Sequence, residues 1–218
     1  MECAVGNGIM VHDLNSLVGS SIIATDGEVG TVRDFLFDDR SWRVLYLVVD
    51  VGNWFQRKAV VLAIADLEQP DWAKKCFKVH FTREQVRESP DIDTEKPVTR
   101  QQEIAMEQYY GQWAAWVDRE MGLASSMPTG ITLPVSTAED EHLRGAWALW
   151  DYEVWAVDGD LGRLQGFIMD EATWHLGYLE VKAGDWLHSR SMLIPTGWVE
   201  SVSWANHRVN LHHTRTGV

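Results

Sequence analysis

The chain carries one stretch of sequence twice. Residues 24–83 and 156–215 align at a constant offset of 132 without a gap, and 18 of the 60 aligned positions are identical. Average composition would give roughly one identity in seventeen. The duplication therefore predicts two structurally equivalent units. Identical pairs include Asp26/Asp158, Gly27/Gly159, Gly30/Gly162, Phe35/Phe167, Asp38/Asp170, Trp42/Trp174, Tyr46/Tyr178, Leu47/Leu179, Trp54/Trp186, Trp72/Trp204 and Arg83/Arg215.

Each repeat has the pattern of short strands separated by turns. In the first repeat, apolar and β-branched runs predict strands over 21–24, 29–37, 43–51, 58–62 and 77–81. Asp26-Gly27 supplies a hairpin turn between the first two of these strands. Short antiparallel strands at this spacing favour a small barrel or curled sheet, since closure removes exposed edges.

The segment between the repeats reads as a connector. A capping box at Thr82–Gln85 predicts a short helix, and Pro90 and Pro97 flank an acidic extended stretch. Helical spacing of apolar residues then predicts a helix over 100–122. We therefore predict a mainly β chain with domains at 16–88 and 147–218, joined by a connector at 89–146 that contains this helix.

Comparison of the repeats predicts which face of the third strand is internal. Leu45, Leu47, Val49 and Val51 match small or apolar residues in the second repeat and are expected inside. The opposite face carries Val44, Tyr46, Val48 and Asp50 in the first repeat, and the matching face of the second repeat is charged at Glu180 and Lys182. We therefore expect this outer face to be covered by the other barrel, the connector helix or a second subunit.

Charge and cysteine content exclude some functions. The formal net charge of −13 disfavours nucleic-acid binding, which depends on clustered Lys and Arg. Two cysteines with no C-x-x-C motif fit a reduced, cytoplasmic protein. No apolar run approaches the ~18–20 residues that a membrane span requires.

The repeat motif resembles a known domain. Asp26-Gly27-Glu28 is followed by Asp38-Asp39, Trp42 and the run Tyr46–Trp54, and this pattern is similar to the PRC-barrel domain. That domain is named for the cytoplasmic part of the photosynthetic reaction-centre H subunit. The resemblance covers about residues 16–215 and is closest to stand-alone bacterial proteins with two such barrels. One departure is Asp151, which stands where the first repeat has Gly19.

The resemblance implies an assembly or binding surface without enzymatic activity or a cofactor. We expect an adaptor that binds a protein partner and forms a homodimer. Expected partner-binding residues are Tyr46, Trp54, Arg57, Lys58, Tyr178 and Trp186; expected packing residues between the barrels and the connector are Val48, Trp113, Trp116, Met121 and Trp150. Two alternatives stay open: small-ligand binding in an aromatic pocket between the barrels, and an accessory role in a photosynthetic or other membrane electron-transfer complex.

Candidate catalytic and metal-binding groups have simpler interpretations. Asp38-Asp39 and Asp170-Glu171 lie at predicted turns, where Asp accepts backbone N–H bonds. Strand alternation is expected to send His212 and His213 to opposite faces, and no usual zinc spacing is present. We therefore expect no catalytic residue and no bound metal. The tryptophans that recur in both repeats are expected to close each barrel.

Overall fold

A computed structural model describes residues 10–53, 56–68, 70–89, 143–183 and 190–217. We call residues 10–89 the first half and residues 143–217 the second half. The strands of the first half are β1 (Val11–Asp13), β2 (Ser21–Ala24), β3 (Gly27–Asp38), β4 (Arg43–Asn53), β5 (Gln56–Ala63) and β6 (Cys76–Lys78). Those of the second half are β7 (Leu143–Gly145), β8 (Glu153–Ala156), β9 (Gly159–Asp170), β10 (Leu176–Ala183), β11 (Arg190–Pro195), β12 (Val199–Ser203) and β13 (Arg208–Leu211).

The two halves form equivalent sheets. One has the strand order β5-β4-β3-β2-β6, and the other has the order β11-β10-β9-β8-β13-β12. The prediction of a mainly β chain with two equivalent units is confirmed. The sheets are mixed, however, because β6 is parallel to β2 and β13 is parallel to β8. The first sheet also does not close into a barrel within the described residues. Its outermost strands, β5 and β6, lie at opposite ends of the strand order and are not paired with each other there.

The halves exchange their first strands. β1, from the start of the first half, pairs with β9 and places His12 opposite Met169. β7, from the start of the second half, pairs with β3 and places Arg144 opposite Phe37. The two pairings are related by the same offset of 132 that relates the sequence repeats. β1 lies outside the predicted domain at 16–88, and β7 lies inside the predicted connector.

A single hydrophobic core extends through both halves. The completely buried Leu47 and Leu179 belong to one cluster, and the rings of Phe37 and Phe167 lie 5.4 Å apart across the junction. The two halves therefore share one core instead of each enclosing its own. Each repeat alone is near the lower size limit for an independent core, and the shared core removes that constraint.

A β-bulge reverses the predicted faces of two neighbouring residues, Val44 and Leu45. Leu47, Val49 and Val51 are in the core as expected, but Leu36↔Tyr46 is followed by Phe37↔Val44 in the β3–β4 register. Leu45 is therefore skipped, which puts Val44 in the core and Leu45 against an outer cluster. The second half has the same shift, with Leu176↔Met169 followed by Tyr178↔Ile168.

The outer face of the first half is covered, as expected. Val48 is completely buried in a cluster with Leu36, Tyr46, Val61 and Leu143. Leu143 belongs to β7, so the exchanged strand supplies part of this cover. The predicted capping box is also confirmed, because helix α1 (Arg83–Glu88) begins with reciprocal Thr82 and Gln85 bonds. The predicted helix over 100–122 lies outside the described residues.

Candidate functional site

The junction between the halves is built around two matching turns. Trp42 and Trp174 adopt positive φ angles of 55° and 57°, which non-glycine residues rarely do. The N–H of Val44 donates to the Trp174 carbonyl at 2.9 Å, and the N–H of Leu176 donates to the Trp42 carbonyl at 2.8 Å. These reciprocal bonds hold each strained turn against the other half.

The carboxylates of these turns have the structural role that the sequence predicted. The Asp38 carboxylate accepts the N–H groups of Arg40 and Ser41 at 2.7 and 3.0 Å. Asp170 accepts the N–H of Thr173 at 2.8 Å. These bonds stabilise the turns that present Trp42 and Trp174.

Recurring tryptophans pack across the junction. The Trp42 ring lies 6.3 Å from Phe167, and the Trp174 ring lies 5.4 Å from Trp72 and 6.0 Å from Phe77. We expected these residues to close each barrel internally. They instead hold the two halves together, which gives a physical reason for their recurrence in both repeats.

Each exchanged strand also carries a basic side chain that links the halves. His12 of β1 stacks on Trp72 at 4.5 Å and lies 3.0 Å from the Glu171 carboxylate. Arg144 of β7 lies over the Trp204 ring at 5.5 Å and forms an ion pair with Asp39. Asp39 matches Glu171, and Trp72 matches Trp204, at the same offset of 132. We call these two sets the junction pairs.

The two halves differ at Asp34, because the matching residue of the second half is Gly166. Asp34 is buried, and its carboxylate accepts the N–H groups of Phe35 at 2.8 Å and Trp147 at 3.0 Å. Burial raises the pKa of Asp34 to about 6, although these two hydrogen bonds oppose the shift. Burial likewise raises the pKa of Asp66 to about 6, with a smaller opposing effect of His80.

Replacing Asp34 with asparagine should change the pH dependence of stability. The unfolded carboxyl titrates near 3.8, so the folded state binds more protons between about pH 4 and 6, and its stability falls as pH rises through that window. The full shift corresponds to about 3 kcal/mol. Relative to wild type, we expect Asp34→Asn to gain roughly 2–3 kcal/mol in unfolding free energy between pH 4 and 7.5.

Urea unfolding at a series of pH values measures this gain. Glu200→Gln is the matched control, because that side chain is exposed and should leave the pH profile close to that of wild type. Profiles of Asp34→Asn and wild type that run parallel from pH 4 to 7.5 would contradict the raised pKa.

A small pocket opens at the junction beside His12. Its volume is about 190 Å³, and Trp72, Lys75 and Asp13 are among its lining residues. The Lys75 ammonium donates to the Ser16 carbonyl at 2.7 Å and so is partly committed to the fold. All of its lining residues belong to the first half, whereas the aromatic pocket that we considered from the sequence lay between the barrels.

Exposed tryptophans mark the surface of the second half. The rings of Trp147 and Trp150 stack at 5.1 Å, and 60% and 39% of their surfaces are exposed. Trp147 begins the 3-10 turn Trp147–Leu149 and Trp150 directly follows it; the N–H of Trp147 donates to the Asp34 carboxylate. The matching residues of the first half are Asn15 and Val18, so this aromatic pair is present once. We call it the tryptophan pair.

The other predicted site residues have varied positions. Tyr46 is buried, with 6% of its surface exposed, and offers little area to a partner. Lys58 donates to the carbonyls of Arg87 and Ser89, at 2.7 and 2.9 Å, and thereby ties β5 to the end of α1. Tyr178 is half-buried on β10. Six other predicted site groups lie outside the part of the chain that the structure describes: Trp54, Trp113, Trp116, Met121, Trp186 and the Arg57 side chain.

The predicted separation of His212 and His213 is wrong. Their ring centroids are 4.3 Å apart, because β13 ends at Leu211 and strand alternation no longer applies. His213 also stacks on Trp198 at 4.3 Å. Among the described residues, no group of three or more His, Cys, Asp or Glu side chains is arranged to hold a metal ion.

Comparison with known proteins identifies part of the first half. The model of the PRC-barrel domain matches residues 10–75. One PRC-barrel domain is present. An uncharacterised protein of Deinococcus radiodurans is 40% identical over 48 residues, which is 22% of this chain and 18% of that relative. In the part of the chain that the structure describes, no helix is long and apolar enough to cross a membrane.

Proposed function

We propose that the protein is a non-enzymatic assembly module that binds another protein through the tryptophan pair. The observation that carries this proposal is the stacking of two large, exposed indole rings on a turn whose backbone is fixed by Asp34. A rigid aromatic surface loses little conformational entropy on binding. Trp is accordingly enriched among the residues that contribute most to protein interfaces.

The charge of the chain favours a basic partner. The formal net charge is −13, and exposed Asp151 directly follows Trp150. A partner surface with an apolar centre and a Lys- or Arg-containing rim would complement both features. The first half has no equivalent aromatic pair, so we propose that binding uses the second half.

The junction pocket is the basis of a second candidate function, small-ligand binding. Trp72 and His12 give it an aromatic wall, and Lys75 adds a cation to its lining. Its volume of about 190 Å³ is smaller than the ~300–1,000 Å³ of typical ligand pockets. The tryptophan pair is therefore the better-supported site.

Three further features belong to the proposal. We propose that the second half is also a PRC-type unit, supported by sheets that repeat at an offset of 132. We propose a cytoplasmic location, supported by the cysteine content, and a homodimer as the assembled form. A membrane electron-transfer complex is one candidate partner, and co-sedimentation with membranes from the source organism would test that role.

Truncation of the tryptophan pair should weaken partner binding. We expect Trp147→Ala/Trp150→Ala to raise the dissociation constant for a captured and purified partner by at least about 30-fold, because hot-spot residues contribute about 2 kcal/mol or more to the binding free energy. Quantitative affinity capture from the source organism identifies the partner, and titration calorimetry measures the constant.

A second double variant serves as the control for this experiment. Val157→Ala/Leu193→Ala also removes exposed apolar surface, since these residues are 69% and 54% exposed. It should retain binding within about threefold, because scattered exposed apolar residues contribute little. Equal binding by wild type and the tryptophan variant would exclude this surface. A loss of self-association instead would identify the second copy as the partner.

A further inference from the structure

The exchange of β1 and β7 raises the question of which halves can pair. The strand pairings across the junction are the same in both directions, as in a symmetric dimer of two identical subunits. A first half could in principle pair with the first half of another molecule, and a second half with another second half. Such pairing would link chains into dimers or longer assemblies. Some feature of the sequence must favour pairing between unlike halves.

The junction pairs do not make this distinction. The observed combinations are His12 with Glu171 and Arg144 with Asp39. Pairing of like halves would bring His12 to Asp39 and Arg144 to Glu171, which again sets a basic group against an acid. The attraction is retained in every combination, so these residues hold the halves together without selecting the partner.

The 3-10 turns that follow β1 and β7 do differ between the halves. In the first half, the turn Leu14–Leu17 is capped from within: the N–H of Asn15 donates to the Asp13 carboxylate at 2.9 Å. In the second half, Gly145 occupies the place of Asp13 and cannot cap. The N–H of Trp147 donates instead to Asp34 of the first half, at 3.0 Å.

The position opposite the first turn completes the arrangement. Gly166 occupies the place of Asp34 in the second half and lies against Asn15, whose amide donates to the Gln165 carbonyl at 2.9 Å. A Cβ atom at Gly166 would be 2.5 Å from the Asn15 amide nitrogen and 3.8 Å from the Asp13 carboxylate. An aspartate there would therefore bring two carboxylates to one turn.

Each turn thus receives one carboxylate only when unlike halves pair. Two first halves would bring Asp13 and Asp34 together at each turn, which adds like-charge repulsion and displaces Asn15. Two second halves would supply neither, because both Gly145 and Gly166 lack a side chain, and the Trp147 N–H would be left unpaired. Specificity of this kind comes from disfavouring the wrong combinations as well as from favouring the right one.

We propose that Asp13, Asp34, Gly145 and Gly166 determine which halves pair, so that the chain closes on itself and does not exchange halves with a second copy. The interaction surface lies on the first half, and the partner that binds it is the second half of the same chain. The proposal is independent of the tryptophan pair and of the binding function assigned to it.

Exchanging the residues at positions 34 and 166 tests the proposal in the full-length chain. Asp34→Gly/Gly166→Asp leaves pairing of unlike halves with two carboxylates at one turn and none at the other. In the same variant, pairing of two like halves would place one carboxylate at every turn. After refolding at high protein concentration, we expect light scattering to detect species of at least twice the wild-type mass, in a fraction that rises with concentration.

A matched variant isolates the effect of the carboxylate. Asp34→Gly/Gly166→Ala introduces the same Cβ atom without a charge, and it should keep the wild-type mass because it provides no cap for paired second halves. The proposal is overturned if the exchanged variant folds, by circular dichroism, and has the wild-type mass at every concentration.

A cycle of single and double substitutions applies if the exchanged variant does not fold. We expect Gly166→Asp alone to lower Tm by roughly 3–8 °C, and Asp13→Asn in the same chain to restore part of that loss, because only one carboxylate then remains at the turn. Asp13→Asn in the wild-type chain should not raise Tm. Losses that simply add in the double variant would overturn the proposal.

Discussion

Replacing Arg144 with alanine is expected to destabilise the protein by about 3–5 kcal/mol, because it removes the cation from an ion pair whose two side chains are largely buried. The side chains of Arg144 and Asp39 are only 12% and 9% exposed. Arg144 also covers the Trp204 ring, so its truncation removes packing as well as charge. Thermal unfolding should show a Tm lowered by roughly 10 °C, and urea unfolding gives the free energy directly.

Arg163→Ala is the control for this prediction. Arg163 forms an ion pair of 3.2 Å with Glu153, but its side chain is 50% exposed. Exposed pairs contribute about 0–1 kcal/mol, so Tm should change little. An equal, small effect of both substitutions would show that Arg144 is not essential to the contact between the halves.

Replacing Gly30 with alanine is expected to cost more than about 3 kcal/mol, which is at the upper end for single substitutions. A Cβ atom there would lie 2.2 Å from the Asp50 carbonyl oxygen on the adjacent strand β4. The backbone atoms cannot rotate away as a flexible side chain would, so β3 and β4 must separate at the centre of the sheet. Urea unfolding of the purified variant measures the loss.

The second half and an open glycine provide the comparisons for Gly30. A Cβ atom at Gly162 would lie 2.2 Å from the Lys182 carbonyl oxygen, and the φ angle of Gly162 is 137°. Gly162→Ala should therefore be at least as damaging. Gly197→Ala should change the unfolding free energy by less than about 1 kcal/mol, since an added Cβ atom there would have no neighbour within 4 Å among the described residues, apart from those adjacent in the chain. A mild effect at Gly30 would mean that the sheet adapts locally.

Sequence reasoning worked where the two repeats could be compared. The offset of 132 correctly predicted two equivalent units, and the shared apolar pattern placed Leu47 and Leu179 in the core. It failed at Val44 and Leu45 because a bulge changes the alternation. Only Gly177, which matches Leu45 in the second repeat, gave a hint of that irregularity.

The exchange of strands was missed because its sequence signal is short. β1 and β7 have three residues each, and their partners lie more than 100 positions away. Extending the offset upstream of the repeats would have matched Val11 with Leu143 and His12 with Arg144, an aliphatic and a basic residue in each case. Trp150 was predicted as a packing residue between the barrels and the connector; the exposure of the tryptophan pair depends on packing that the pattern does not determine.

The exchange of β1 and β7 has a consequence for synthesis of the protein. When the ribosome has completed β3 at Asp38, it must add residues 39–142, which are 104 residues, before β7 begins. At about 5–20 residues per second, this takes roughly 5–20 s. During that interval the nascent amino-terminal part lacks both the strand that pairs with the end of β3 and the hydrophobic residues of the second half that complete its core. Neighbouring ribosomes on one messenger RNA carry identical unfinished parts, and the repulsion between Asp13 and Asp34 disfavours their premature association.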